Sequence, residues 1–86
     1  NIAARSVGGE LMAALDNLFI RYLGYMVEHH GWRQRDSRVP AEAALVYVAR
    51  GLGGVMDLWV RGGCAEKERD VARAMARLVE GTYQTA

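Results

Sequence analysis

Pro40-Ala-Glu-Ala-Ala-Leu-Val-Tyr-Val-Ala-Arg-Gly-Leu-Gly-Gly-Val-Met-Asp-Leu-Trp-Val-Arg61 decides how this chain is organised. A proline suits the first turn of a helix, because its missing N–H has no partner to lose there. Glu42 then falls at the positive end of the helix dipole. Apolar residues follow at helical spacing and cover most of the circumference: Ala44, Leu45, Val48, Ala49, Leu52, Val55, Met56, Leu58 and Trp59. Only Glu42, Arg50, Asp57 and Arg61 form a thin polar stripe. A helix that is apolar nearly all round is covered on nearly all sides. Two other helices in so short a chain cannot cover it fully, so a partner surface is expected.

Gly51, Gly53 and Gly54 stand inside this helix. Each costs about 1 kcal/mol relative to alanine, and some interaction should offset that. Close approach of another helix or a ligand to bare backbone would do so, and Gly51 is the expected point of approach. A kink at the glycines is the alternative. A phosphate-cradling loop is excluded, because no strand precedes the glycines and Met56 occupies the third glycine position.

On the N-terminal side, Leu11, Met12, Leu15, Leu18, Phe19, Tyr22, Leu23, Met26 and Val27 are spaced one, three or four apart, a helical pattern. Gly31 can take the left-handed conformation that closes such a helix. Residues before Gly8-Gly9 read as the tail of a separate, preceding helix. On the C-terminal side, Gly62-Gly63 ends the central helix. Val71, Ala74, Met75, Leu78 and Val79 then make the apolar face of a third one. Arg69, Arg73 and Arg77 recur on another face, with Glu66 and Asp70 at pairing distance along a helix. Cys64 or Ala65 takes the N-cap place. The expectation is an all-α bundle with helices near 9–30, 40–61 and 65–83 and no sheet, in one domain.

Composition narrows the function. The chain has 86 residues, of which 51% are hydrophobic and 24% charged, and this is a globular balance. A domain of this size buries only roughly 60–65% of the surface its unfolded chain exposes, so a second subunit would add stability. Eleven basic residues face ten acidic ones, a poor basis for a nucleic-acid surface. Ten of the eleven are arginines, a bias that points to a GC-rich bacterial genome. A single cysteine, Cys64, allows no intrachain disulfide. The chain begins at Asn1 without a signal-peptide pattern, which reads as a cytoplasmic piece of a longer protein. Arg50 and Asp57 interrupt the longest apolar stretch and argue against a membrane span or membrane partner.

The run Val46-Tyr-Val-Ala-Arg-Gly-Leu-Gly-Gly-Val-Met-Asp-Leu-Trp-Val-Arg-Gly-Gly63, followed by an amphipathic helix, resembles the C-terminal end of TetR-family transcriptional regulators. Members of that family often carry a small-residue helix with a Gly-Leu-Gly-type centre. A tryptophan and a hydrophobic residue follow, then a basic or polar residue and paired glycines. Gly51, Leu52, Gly53 or Gly54, Trp59, Val60, Gly62 and Gly63 match this habit, and the loop holding Gly31, Trp32 and Val39-Pro40 is also similar. The likeness extends from Leu11 to Tyr83. Ala65 departs from it, standing where a helix-capping serine is common.

The resemblance implies a ligand-responsive repressor of the bacterial cytoplasm. Its helix-turn-helix head would precede Asn1 and make all contact with DNA. It also implies a homodimer in which the last two helices meet their copies as a four-helix bundle. On that expectation Val48, Gly51, Leu52, Val55, Met56, Trp59, Met75, Leu78 and Val79 form the dimer interface. A small apolar or amphipathic effector would face Leu15, Phe19, Tyr22, Met26 and Tyr47. Ordinary core packing competes for the same aromatics, Tyr25 included, and the resemblance does not choose between them.

Other chemistry is poorly supplied. His29 and His30 are adjacent, so they point in different helical directions and cannot share a metal ion from a regular helix. No Ser/His/Asp or Cys/His set is legible, and no cofactor or metal is expected. Arg50 and Asp57 share a face, where they could pair across the dimer, line a polar patch of the pocket or stand in solvent. Two functions from other classes compete: a small dimeric helical enzyme similar to chorismate mutase, and a structural helical adaptor. The enzyme would need inward-facing cations to hold a dicarboxylate, and the inward faces here carry almost none.

Overall fold

Three antiparallel helices follow the three apolar patterns, with two very short strands tying their ends together. The computed structural model describes residues 2–85, with side chains from residue 9 to residue 85. In chain order the elements are α1 (Ile2–His29), β1 (Arg33–Gln34), α2 (Ala41–Arg61), α3 (Glu68–Thr82) and β2 (Tyr83–Gln84). The all-α architecture is as the periodicity requires.

The ends differ from expectation in three places. First, α1 runs unbroken through Gly8-Gly9. Glycine permits a left-handed stop without imposing one, and no proline enforces it; Asn1 lies outside the described residues. The true stop is Gly31, at φ +72°. There the N–H groups of His30 and Trp32 both turn back to the Met26 carbonyl, at 3.0 and 3.4 Å.

Second, α3 starts at Glu68 and not at residue 65. Gly63 and Cys64 both take positive φ, +76° and +56°. The chain therefore needs several more residues before it can turn into a helix. Neither Cys64 nor Ala65 is the cap: Lys67 holds that place without a side-chain bond, and Glu68 and Asp70 put negative charge in the first turn. The Trp59 indole N–H donates to the Glu66 carbonyl at 2.9 Å and pins this loop to α2.

Third, there is a sheet, although a minimal one. β1 and β2 pair antiparallel, with Arg33 opposite Gln84 and Gln34 opposite Tyr83. The Arg35 N–H extends the pairing to the Thr82 carbonyl at 2.9 Å. This clasp fastens the α1–α2 loop to the end of α3.

The core is small and centred on α2. Leu23 of α1, then Ala44, Val48, Ala49 and Leu52 of α2, Val79 of α3 and Tyr83 of β2 are buried together. Phe19, Ile20, Trp32, Leu45 and Met75 pack around them. The Trp32 ring lies 6.2 Å from the Tyr83 ring and 6.2 Å from Tyr22, which it meets edge to face. By length and composition alone α2 would also suit a membrane span; here its small-residue face is the core between α1 and α3.

Candidate ligand cavity and dimer face

Because α2 packs inward through Ala44, Val48, Ala49 and Leu52, its opposite side carries Tyr47, Gly51, Gly54 and Leu58, all exposed. These recur three or four residues apart, so they form one stripe. Tyr47 is 77% exposed and Leu58 67%, which is high for side chains this large. Ala74, Leu78 and Gly81 make a parallel stripe on α3, with Leu78 50% exposed. Between the stripes lie two shallow hollows. One, of about 360 Å³, is lined by Tyr47, Gly51, Leu78 and Gly81 among others. The second, of about 200 Å³, lies between Val55, Leu58 and Trp59 on one side and Val71 and Ala74 on the other. An alanine methyl at Gly51 or Gly54 would meet nothing within 4 Å. The close approach inside the protomer is at Gly53, where a Cβ would fall under 3.0 Å from Asp16 Oδ1 of α1. Gly51 is therefore not the point where helices of one chain meet.

A larger cavity, of about 520 Å³, opens where the β1 loop, the start of α2 and the end of α3 converge. Val39, Ala43, Ala44, Tyr47 and Gly81 give it apolar walls, and Gln34, Arg35, Asp36 and Thr82 give it polar ones. Hydrogen bonds tie the loop to itself and to α3. Gln34 Nε2 donates to the carbonyls of Asp36 and Val39, at 3.0 and 2.8 Å. Asp36 is gripped by Arg38 through Nε to Oδ1 at 2.9 Å and Nη2 to Oδ2 at 3.0 Å, with the Arg38 backbone N–H also on Oδ1. Those bonds hold the Asp36 carboxyl below its ordinary range and the Arg38 guanidinium above its own. Arg35 Nε donates to the Glu80 carbonyl at the end of α3.

The expected pocket residues are dispersed. Of the five, only Tyr47 lines any of the hollows described above. Phe19 packs on the core, Leu15 and Met26 are half-buried, and Tyr22 stands half exposed against Trp32. The 520 Å³ cavity is walled by the β1 loop, α2 and α3, and no residue of α1 lines it. Among the expected interface residues, Val48, Leu52 and Val79 are buried within one chain, and Val55, Met56, Trp59 and Met75 are half-buried. Gly51 and Leu78 are exposed. Tyr47, Gly54 and Leu58 share their face and were not assigned to it by sequence; the 47-51-54-58 spacing carries that signal.

Within the chain Asp57 pairs with Arg61 at 2.9 Å. Among the described residues Arg69, Arg73 and Arg77 make no ion pair with Glu66 or Asp70. His29 and His30 both lean on the Tyr25 ring, with centroids 4.6 and 5.4 Å away. No group of three or more metal-ligating side chains gathers among the described residues. Among the described residues two buried side-chain polar atoms lack a hydrogen-bond partner, Asp16 Oδ1 and the Tyr83 hydroxyl.

Comparison with models of protein families, with curated proteins and with solved structures finds no match to this chain.

Proposed function

We propose that the chain is the effector-binding and dimerisation portion of a TetR-type transcriptional regulator, a ligand-responsive repressor of the bacterial cytoplasm whose DNA-binding head precedes Asn1. The observation that supports this most is the outer face of α2 and α3. Tyr47, Leu58 and Leu78 stand exposed around the bare backbone of Gly51, Gly54 and Gly81. Large side chains beside bare glycine backbone are what two copies need to interlock about a two-fold axis. The bundle pairs α2 and α3 with their copies through this stripe. The near-even charge leaves DNA contact to the head, because phosphate binding needs several uncompensated cations.

Sedimentation velocity of the chain at micromolar concentration tests the dimer. The wild type should sediment as a dimer. Leu78→Glu, which sets a charge in the seam, and Gly51→Leu, which overfills a hollow, should be monomers with unchanged helical circular dichroism. A monomeric, helical wild type would overturn the proposal.

A further inference from the structure

We infer that the cavity between the β1 loop, the start of α2 and the end of α3 binds a small amphipathic carboxylate, with Arg35 as its charge anchor. This deepens the effector reading above and rests on it. A volume of about 520 Å³ lies within the range of small-molecule pockets, about 300–1,000 Å³. The walls are of two kinds. Val39 and Ala43, with Tyr47 and Gly81 where the cavity borders the stripe of α2 and α3, accept an aromatic or short aliphatic body. The polar end is set by charge. Asp36 is the only acidic residue of the lining, and Arg38 already neutralises it with two side-chain bonds. That leaves Arg35 as the uncompensated charge of the site.

Arg35 is also placed for the task. Its backbone N–H is tied to Thr82 and its Nε to the Glu80 carbonyl. The guanidinium is thereby fixed at one edge, and among the described residues no carboxylate pairs with it. Its two Nη groups keep the geometry that grips a carboxylate. Arg35 is exposed, so a neutral ligand would leave it to water and forgo the charge-assisted bonds it offers, and a dianion would exceed the single charge available. The class that fits is therefore a monoanionic acid with an apolar body.

Isothermal titration of the 86-residue chain with 2-naphthoate and with its neutral counterpart 2-naphthamide tests the inference. The wild type should prefer the acid by about tenfold or more. Arg35→Gln should lower the acid to the amide's affinity and leave the amide unchanged. Ala43→Trp, which fills the apolar wall, should weaken both by about tenfold or more. Should Arg35→Gln fail to fold, the wild type's preference for the acid must still shrink as salt is raised. Equal affinities for acid and amide, a preference that survives Arg35→Gln, or no binding of either at millimolar concentration would overturn the site. The regulator reading fails separately. An intact protein that binds no DNA would end that reading while leaving the acid preference standing, and loss of the preference would leave dimerisation and DNA binding untouched.

Discussion

Gly53→Ala and Gly24→Ala add the same methyl group to mid-helix glycines of α2 and α1, and they should stabilise the chain unequally. At Gly24 the new Cβ meets nothing within 4 Å. The chain then gains the helix preference of alanine over glycine, about 0.8–1 kcal/mol. For a domain of this size that gain raises the melting temperature by about 4–8 °C. At Gly53 the same gain is opposed by Asp16, whose Oδ1 lies under 3.0 Å from the added carbon. That oxygen ends a flexible, half-buried side chain and has no hydrogen-bond partner to hold it, so the carboxylate must turn out of the helix contact to admit the methyl. The turn offsets part of the alanine preference, and Gly53→Ala should gain less than Gly24→Ala by about 0.5–1 kcal/mol. The double variant Asp16→Ala/Gly53→Ala removes the obstruction and should recover the gain, a coupling of about 0.5–1 kcal/mol. Urea and thermal denaturation followed by far-ultraviolet circular dichroism measure all four proteins. If Gly53→Ala proves as stabilising as Gly24→Ala, or the double variant shows additive changes, the α1–α2 contact at Asp16 is not as described.

Leu23 is fully buried, so Leu23→Ala should cost about 2–5 kcal/mol, a loss visible as a collapse of the urea midpoint. Tyr83→Phe deletes a buried hydroxyl that has no partner, and should be neutral or stabilising by about 1 kcal/mol in the same assay. Burial raises the Tyr83 pKa above 10.0. The unfolded chain therefore loses this proton first, and wild-type stability should hold steady below about pH 10 and fall above it. In Tyr83→Phe that contribution to the alkaline loss should vanish. Trp59→Phe removes the N–H bonded to the Glu66 carbonyl; a loss of about 0.5–1.5 kcal/mol and faster amide exchange in the α2–α3 loop are expected.

Helix interiors were legible because an apolar stripe repeats every turn for several turns, as from Leu11 to Val27 and from Ala44 to Trp59. Helix ends depend on one or two backbone angles, and these residue types do not fix them. Gly8-Gly9 looks like a stop and is helical, whereas Cys64, which looks like a cap, takes positive φ in the loop. The glycines of α2 were recognisable as needing a reason. Whether Asp16 or open space faced each of them depends on how α1 is rotated, which periodicity fixes only to within a residue. Tyr83 was read merely as the end of a helix, yet it is one of the two largest fully buried side chains. The cavity was illegible for a related reason. Its lining comes from residues 34–36, 39–47 and 81–82, three segments that only the folded chain brings together.

The clasp between β1 and β2 also sets an order of events. It joins Arg33 to Gln84, closing a loop of about fifty residues at an entropic cost of roughly 3–4 kcal/mol. The α1–α2 and α2–α3 hairpins close shorter loops at a smaller cost, so they should assemble first and the clasp latch last. Reversal follows the same path. A partial opening that frees residues 83–85 withdraws Tyr83 from the core and dissolves one wall of the cavity, while the three helices persist. The amides of Arg35 and Tyr83 should therefore exchange through a cheaper fluctuation than those of Ala49 or Leu52, which are released only by global unfolding. A molecule held in the cavity would bridge both sides of that latch and slow its release.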